Sequence, residues 1–182
     1  YLAQFVELTY RGSTLAILEK RKNKFLPKKE IFLFQALIKS DKFEWILEKG
    51  TELGVSHFRP ILARRSVAKK LNILRSRRVL KESAEQSGRG VLPDIIEPVS
   101  LEQAISSVST EVFALDPSGS PFDSKRYTLD ATPCAIFIGP EGGWSEEELK
   151  LFRDKKIPII SLGSQILRAE TAAIAVSALL LL

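Results

Sequence analysis

Methionine is missing from all 182 residues, and cysteine and histidine occur once each, as Cys134 and His57. A lone cysteine forms no disulfide within the chain, which points to the cytoplasm as the compartment. With one histidine beside it there is no ligand set for a structural zinc, so no metal is expected. Long apolar runs are also lacking. The longest, "AAIAVSALLLL" at 172–182, is interrupted by Ser177 and is shorter than the roughly 18–20 residues of a membrane span. It predicts a buried helix and no membrane partner. No signal peptide opens the chain, because "YLAQFVELTYRG" alternates as a strand does. The start at Tyr1 in mid-pattern and the missing methionine together point to an ordered subset of a longer chain.

The chain does have the apolar content for a core. At 45% hydrophobic over 182 residues it can build one core of ordinary size, or one core with a small appendage. Charge is unevenly placed. Residues 1–58 carry 10 basic and 7 acidic side chains, residues 59–89 carry 10 and 2, and residues 90–182 carry 7 and 13. The surplus therefore sits in "RPILARRSVAKKLNILRSRRVLKESAEQSGR", beside an acidic remainder. Such a concentration is the footprint of a polyanion-binding face, with Arg64, Arg65 and Lys69 among its candidate nucleic-acid contacts. The competing reading is a solvated helix face, which charge runs more often form.

Two short strands, "YLAQFVELTY" and "STLAILEK", joined at Arg11-Gly12, open the chain, and a basic connector "KRKNKFLPKK" follows. This hairpin is too small to fold alone. From Ile31 strands and helices alternate. "IFLFQALI", "HFRPILA", "EVFALD", "CAIFIG" and "IPIISLG" predict strands. "KFEWILEKGTEL", ended by Gly54, "RSRRVLKESAEQ", "LEQAISSV", "SEEELKLFRDKK" and "ETAAIAVSALLLL" predict helices. The alternation specifies an α/β layer with a mainly parallel sheet. "LDPSGSPFDSKRYTLDATP" is the one irregular stretch. Trp45 falls on an apolar helical face and is expected in the core, and Cys134 in a buried strand. His57, at a strand start away from every motif, reads as structural.

"FIGPEGGWSEEEL" at 137–149 is a strand, a glycine turn and a helix start. It is not a phosphate cradle. A Walker loop needs Lys and Ser/Thr after its last glycine, where Trp144 and Ser145 stand here, and G-x-G-x-x-G is not matched. Ser145 and Glu148 form an S-x-x-E capping box that uses helix N-terminal donors internally, and Glu141, Glu146 and Glu147 add negative charge. Two readings stay open. The turn is a tight corner, which Gly139, Gly142, Gly143 and Pro140 permit, or its bare backbone admits a neutral or cationic ligand beside Glu141. "SLGSQILRAETAAIA" repeats the arrangement with Gly163, followed by Arg168, Glu170 and Thr171. "FALDPSG" at 113–119 is a third strand-end loop, and ligands of open α/β sheets bind at such ends.

"GPEGGWSEEEL" followed by "SLGSQILRAETAAIA", with "KSDKFEWILEKGTELGV" and "KESAEQSGRGVLPDI" upstream, resembles the SPOUT methyltransferases. More narrowly it resembles the RsmE-type 16S rRNA uracil-N3 methyltransferases, over residues 31–182. The resemblance implies an α/β SPOUT domain over 31–182 with a C-terminal trefoil knot. It implies that residues 1–30 are the last strands of a PUA-like RNA-binding β-barrel. It implies S-adenosyl-L-methionine as cofactor, a homodimer, and 16S rRNA or the small ribosomal subunit as partner. Carried over by residue, Leu115 borders the adenosine, and Gly139, Glu141, Gly142 and Gly143 form one wall of the cofactor pocket. Leu162, Gly163, Ile166, Leu167 and Arg168 form the other. Gln86 and Arg89 face the RNA or the target base. Rivals are a methyltransferase of the same fold acting on another base or a ribose 2′-hydroxyl, an RNA binder without chemistry, and a phosphate-handling enzyme.

Uracil N3 carries a proton and is a poor nucleophile, so the protein must position two groups, remove that proton and stabilise charge on O2 and O4. Arg89 and Arg168 are the candidates for holding a phosphate or that charge, because a guanidinium stays charged and donates from a planar fork. The alternative for Arg168 is an ion pair with Glu141 or Glu170. Glu141 is the candidate to accept a proton or to pair with the cofactor's amino group. Thr171 reads as a cap or packing residue. Trp144 is assignable either to the core or to a ligand stack.

Overall fold

The computed structural model describes residues 2–20, 26–128 and 131–182, so residues 21–25 of the basic connector lie outside it. The first two elements, β1 (Leu2–Thr9) and β2 (Gly12–Glu19), pair antiparallel as a separate two-stranded sheet. Both strands are exposed along almost their whole length, and Phe5, Val6, Leu8 and Ile17 face outward.

The remaining elements are β3 (Ile31–Ala36), α1 (Ser40–Leu53), β4 (His57–Leu62), α2 (Ile73–Gln86), β5 (Asp94–Ile95), β6 (Val99–Ser100) and α3 (Leu101–Ser106). They continue with β7 (Glu111–Pro121), α4 (Ser124–Thr128), β8 (Cys134–Ile138), α5 (Glu146–Asp154), β9 (Ile159–Ser161) and α6 (Ala169–Leu181). Seven strands form one sheet in the order β5-β4-β3-β8-β7-β9, with β6 also on β4, and every pairing in it is parallel.

The continuous apolar run of β8 is explained by its central place. Cys134, Ile136 and Ile138 pack into the cluster that holds Phe43, Ile46 and Val176 of α1 and α6. Ala135 and Phe137 face the other cluster, which holds Trp144 and Phe152. A strand covered on both faces needs no polar alternation. Helix α1 buries Phe43, Ile46, Leu47, Gly50 and Thr51 and ends at Gly54, whose φ is 111°. Trp45 corrects the expectation of a core residue: it is 41% exposed, because its position lies beside that stripe and not within it.

The stretch read as irregular is ordered over most of its length. β7 runs past Asp116 to Pro121 and bends around β9, and α4 follows. Ile160 of β9 takes partners from both halves of β7, Leu115 and Ser120. The bend is tight at Gly119, where an added Cβ would stand 2.5 Å from the backbone of Ile159 and Ile160. Only glycine permits so close an approach of two backbones.

At the amino ends of the strands, His57 bonds Asp94 through Nδ1 and Glu30 through Nε2 (2.6 Å), stacks on Phe32 at 4.2 Å, and neighbours the Arg59–Asp94 pair (2.9 Å). Burial raises the Asp94 carboxyl, but its bonds to His57 and Arg59 outweigh that and hold it below its ordinary value. These partners give His57 the structural place expected of it.

Candidate functional site

The bent middle of β7 (115–118) and the loops after β8 and β9 enclose a cavity of about 490 Å³. Its size is that of a site for a small ligand or cofactor.

The first wall is the glycine turn 139–144. Trp144 is buried beneath it, and a Cβ on Gly139 would come 3.2 Å from the indole. The indole N–H donates to Leu115 O (2.9 Å) and so ties this wall to β7, while the ring meets Phe152 edge-on at 5.0 Å. Trp144 is therefore a core pin. Gly143, at φ 68°, closes the turn by donating to Pro140 O (2.8 Å). The capping box is present: Glu148 N–H donates to Ser145 Oγ (3.3 Å), and Ser145 N–H to Glu148 Oε2 (2.7 Å).

The second wall is the loop 161–168. Ser161 Oγ donates to Gly163 O (2.9 Å), and Ile166 is 84% exposed. Helix α6 then starts at Arg168, which offers no side-chain cap. Ala169 and Ala172 complete this side of the cavity. In the bend of β7, Asp116 Oδ1 accepts from Ser118 N–H (2.9 Å) and Ser118 Oγ–H (2.6 Å).

The fold thus brings together Leu115, Gly139, Glu141, Gly142, Gly143, Leu162, Ile166 and Leu167 around one space. Gly163 and Arg168 flank it and do not line it. Neither ion pair weighed for Arg168 forms. Glu141 Oε1 accepts from Lys39 N–H (3.3 Å) at the start of α1, and the buried Glu170 lies 3.8 Å from Lys42 Nζ. Arg168 makes no ion pair among the described residues and is exposed.

Arg89 is elsewhere. Its Nη1 donates to Thr51 O (3.1 Å) at the last turn of α1, the opposite end of that helix from Glu141. Fourteen helical residues span roughly 20 Å. Burial pushes the Arg89 guanidinium below its ordinary value. Gln86 and Lys69 are exposed and outside the cavity. Arg64 pairs with Glu147 (2.9 Å). Arg65, named from charge alone, lines the cavity and donates from Nη1 to Gly142 O (2.8 Å) and Trp144 O (3.1 Å). Asp116, Pro117, Ser118 and Gln165 also line it and were not singled out. The D-P-S turn signature was the available signal for the first three.

Four ionisable side chains line the cavity: Arg65 against Asp116, Glu141 and Glu146. This excess of carboxylates disfavours a phosphate and suits a ligand bearing positive charge. Among the described residues, no group of three or more His, Cys, Asp or Glu could hold a metal ion, and no helix is long and apolar enough to cross a membrane.

Residues 26–181 match the RNA methyltransferase domain family. Ribosomal RNA small subunit methyltransferase E of Aquifex aeolicus is 34% identical over 176 residues, covering 94% of this chain and 76% of that relative. A Legionella pneumophila methyltransferase solved with bound SAM superposes at TM-score 0.88 with 28% identity, covering 98% of this chain and 76% of its own. Ribosomal RNA small subunit methyltransferase E of Neisseria gonorrhoeae, bound to S-adenosyl methionine, does so at 0.88 with 25% identity, covering 97% and 75%.

Proposed function

The chain belongs to the ribosomal RNA small subunit methyltransferase E family, an enzyme family of SPOUT fold that uses S-adenosylmethionine, and from that premise we propose that it forms 3-methyluridine in 16S rRNA. The observation that carries the reading is the cavity itself: two strand-end loops and the bend of β7, bare glycine backbone on one wall, and three carboxylates against one guanidinium. That balance fits a cofactor with a sulfonium and an amino group, and the glycines leave the space that side chains would fill. Leu115, the 139–143 turn and Leu162–Leu167 would hold it, with Gly163 shaping the second loop. Bound there, the cofactor supplies an activated methyl group.

The protein's own contribution is to orient the uracil, take its N3 proton and steady the charge that develops on O2 and O4. We assign Glu141 to the proton or to the cofactor's amino group. Its contact with Lys39 N–H uses one oxygen and leaves the other available. Arg168, unpaired at the edge of the second wall, is assigned to a phosphate or to the developing charge. Arg64, Arg65, Lys69, Gln86 and Arg89 form the RNA-facing set, with Gln86 and Arg89 meeting RNA away from the cofactor cavity.

Residues 1–30 we take as part of a PUA-like barrel, supported by a hairpin with apolar side chains exposed on both faces. Residues 31–182 are the methyltransferase domain. The passage of β9 between the two halves of β7 supports a trefoil knot. Exposed Ile166, Leu179 and Leu182 support pairing of two subunits. We place the enzyme in the cytoplasm.

The test is methyl transfer from labelled S-adenosylmethionine to unmodified 16S rRNA and to small subunits, using the full-length protein, with nucleosides identified by mass spectrometry. A 3-methyluridine product is expected. Another methylated nucleoside would move the target atom, and no transfer to either substrate would sink the reading. Arg168→Ala and Glu141→Ala should each lower kcat in a folded protein.

A further inference from the structure

Arg65 belongs to the stretch of densest positive charge, yet its side chain is tied to the cofactor cavity. The turn that carries it is closed on itself: Ala63 N–H donates to Ser66 Oγ (3.1 Å) and Ser66 N–H to Ala63 O (3.0 Å), with Ser66 buried. Two contacts dock that turn on the glycine wall. The buried Glu148 carboxylate accepts from Arg64 N–H and Ser145 N–H, both at 2.7 Å. Arg65 Nη1 bridges Gly142 O and Trp144 O, and its aliphatic stem lies over Gly142, where an added Cβ would be 3.4 Å from Arg65 Cβ. Arg64 and Arg75 are neutralised by Glu147 and Glu44, but Arg65 has no carboxylate partner among the described residues. Its Nε and Nη2 donors make no hydrogen bond there either.

We propose that Arg65 is a positioning residue that couples RNA binding to cofactor binding. One edge of the guanidinium sets the shape of the cofactor wall, and the other edge takes an RNA phosphate. The inference rests on the function proposed above. A planar guanidinium donates in two directions at once, which a lysine ammonium on a flexible stem does not. A phosphate that fixes the outer edge also fixes the carbonyls of Gly142 and Trp144. Trp144 passes the constraint to β7 through Leu115 O. By linkage, the cofactor must then tighten RNA by the same factor that RNA tightens the cofactor.

The test measures the affinity of full-length protein for unmodified 16S rRNA with and without saturating S-adenosylhomocysteine, which permits no turnover. Wild type should bind RNA about fivefold or more tightly with the cofactor product present. Arg65→Lys keeps the charge but not the two-way fork, so that gain should disappear whatever the change in RNA affinity alone. Lys69→Ala should weaken RNA binding equally in both conditions and keep the gain. A gain in Arg65→Lys equal to that of wild type would overturn the coupling. So would a wild-type ratio of one, a result that no misfolded variant can obscure. If wild type binds neither S-adenosylhomocysteine nor rRNA, it is the methyltransferase reading that fails, and the coupling falls with it.

Discussion

The two turns that face each other across the cavity share one plan, strand then glycine then helix, but they differ in how their polar groups are used. In the turn after β8, Ser145 and Glu148 cap α5, Glu148 also holds Arg64, Arg65 holds two carbonyls, and Trp144 is 3% exposed. In the turn after β9, Arg168 offers α6 no side-chain cap, and Ile166 is 84% exposed. The first wall is held by its own side-chain contacts. The second exposes apolar surface and starts its helix without a side-chain cap.

The largest expected effect comes from removing the first wall's anchor. Glu148→Ala leaves the buried Ser145 N–H and the half-buried Arg64 N–H without their acceptor, at about 1–3 kcal/mol for the buried one and less for the other, so about 2–3 kcal/mol of stability should be lost in urea denaturation. A loss below about 0.5 kcal/mol would mean the first wall is no more rigid than the second. On the second wall, Ile166→Ala should leave stability within about 0.5 kcal/mol of wild type and weaken cofactor binding about tenfold by calorimetry. Equal losses of stability and affinity would erase the contrast.

Ser161→Ala removes the hydroxyl that braces Gly163, and it should lower stability by about 0.5–1 kcal/mol in the same urea titration. The smallest effect concerns pH. Its own amide N–H, the Ser145 hydroxyl and the Arg64 guanidinium hold the Glu147 carboxyl below its ordinary value. A lowered folded value means the contribution is full above the ordinary carboxylate range and is lost as pH falls through the lowered value. The melting-temperature advantage of wild type over Glu147→Gln should therefore be present at neutral pH and vanish in acid. An advantage that grew in acid would reverse the sign argued here.

Much of the first wall was legible because its rules are local. A capping box needs only residues 145–148, and a turn stop needs only Gly54. The central strand β8 announced itself by an unbroken apolar run. Trp45 misled because a stripe on α1 is defined by what packs on it, and Trp45 stands beside the buried stripe of Phe43, Ile46 and Leu47. The bend of β7 and helix α4 hid in a stretch rich in Pro, Gly and Ser, since the pairing of Ser120 with Ile160 leaves no local pattern.

Charge marked Arg65 correctly as basic but could not say what it touches, because Gly142 lies 77 positions away in the chain. By itself the sequence determined the α/β class, the closure of α5 and the exclusion of a phosphate cradle, all of which follow from short-range periodicity and capping. The tertiary structure alone decided that two separated loops and the bend of β7 share one cavity, that Arg65 serves its wall while Arg89 sits at the far end of α1, and that Ile160 of β9 pairs with both halves of β7. Those outcomes depend on strand order and backbone approach, which are set by packing over the whole chain.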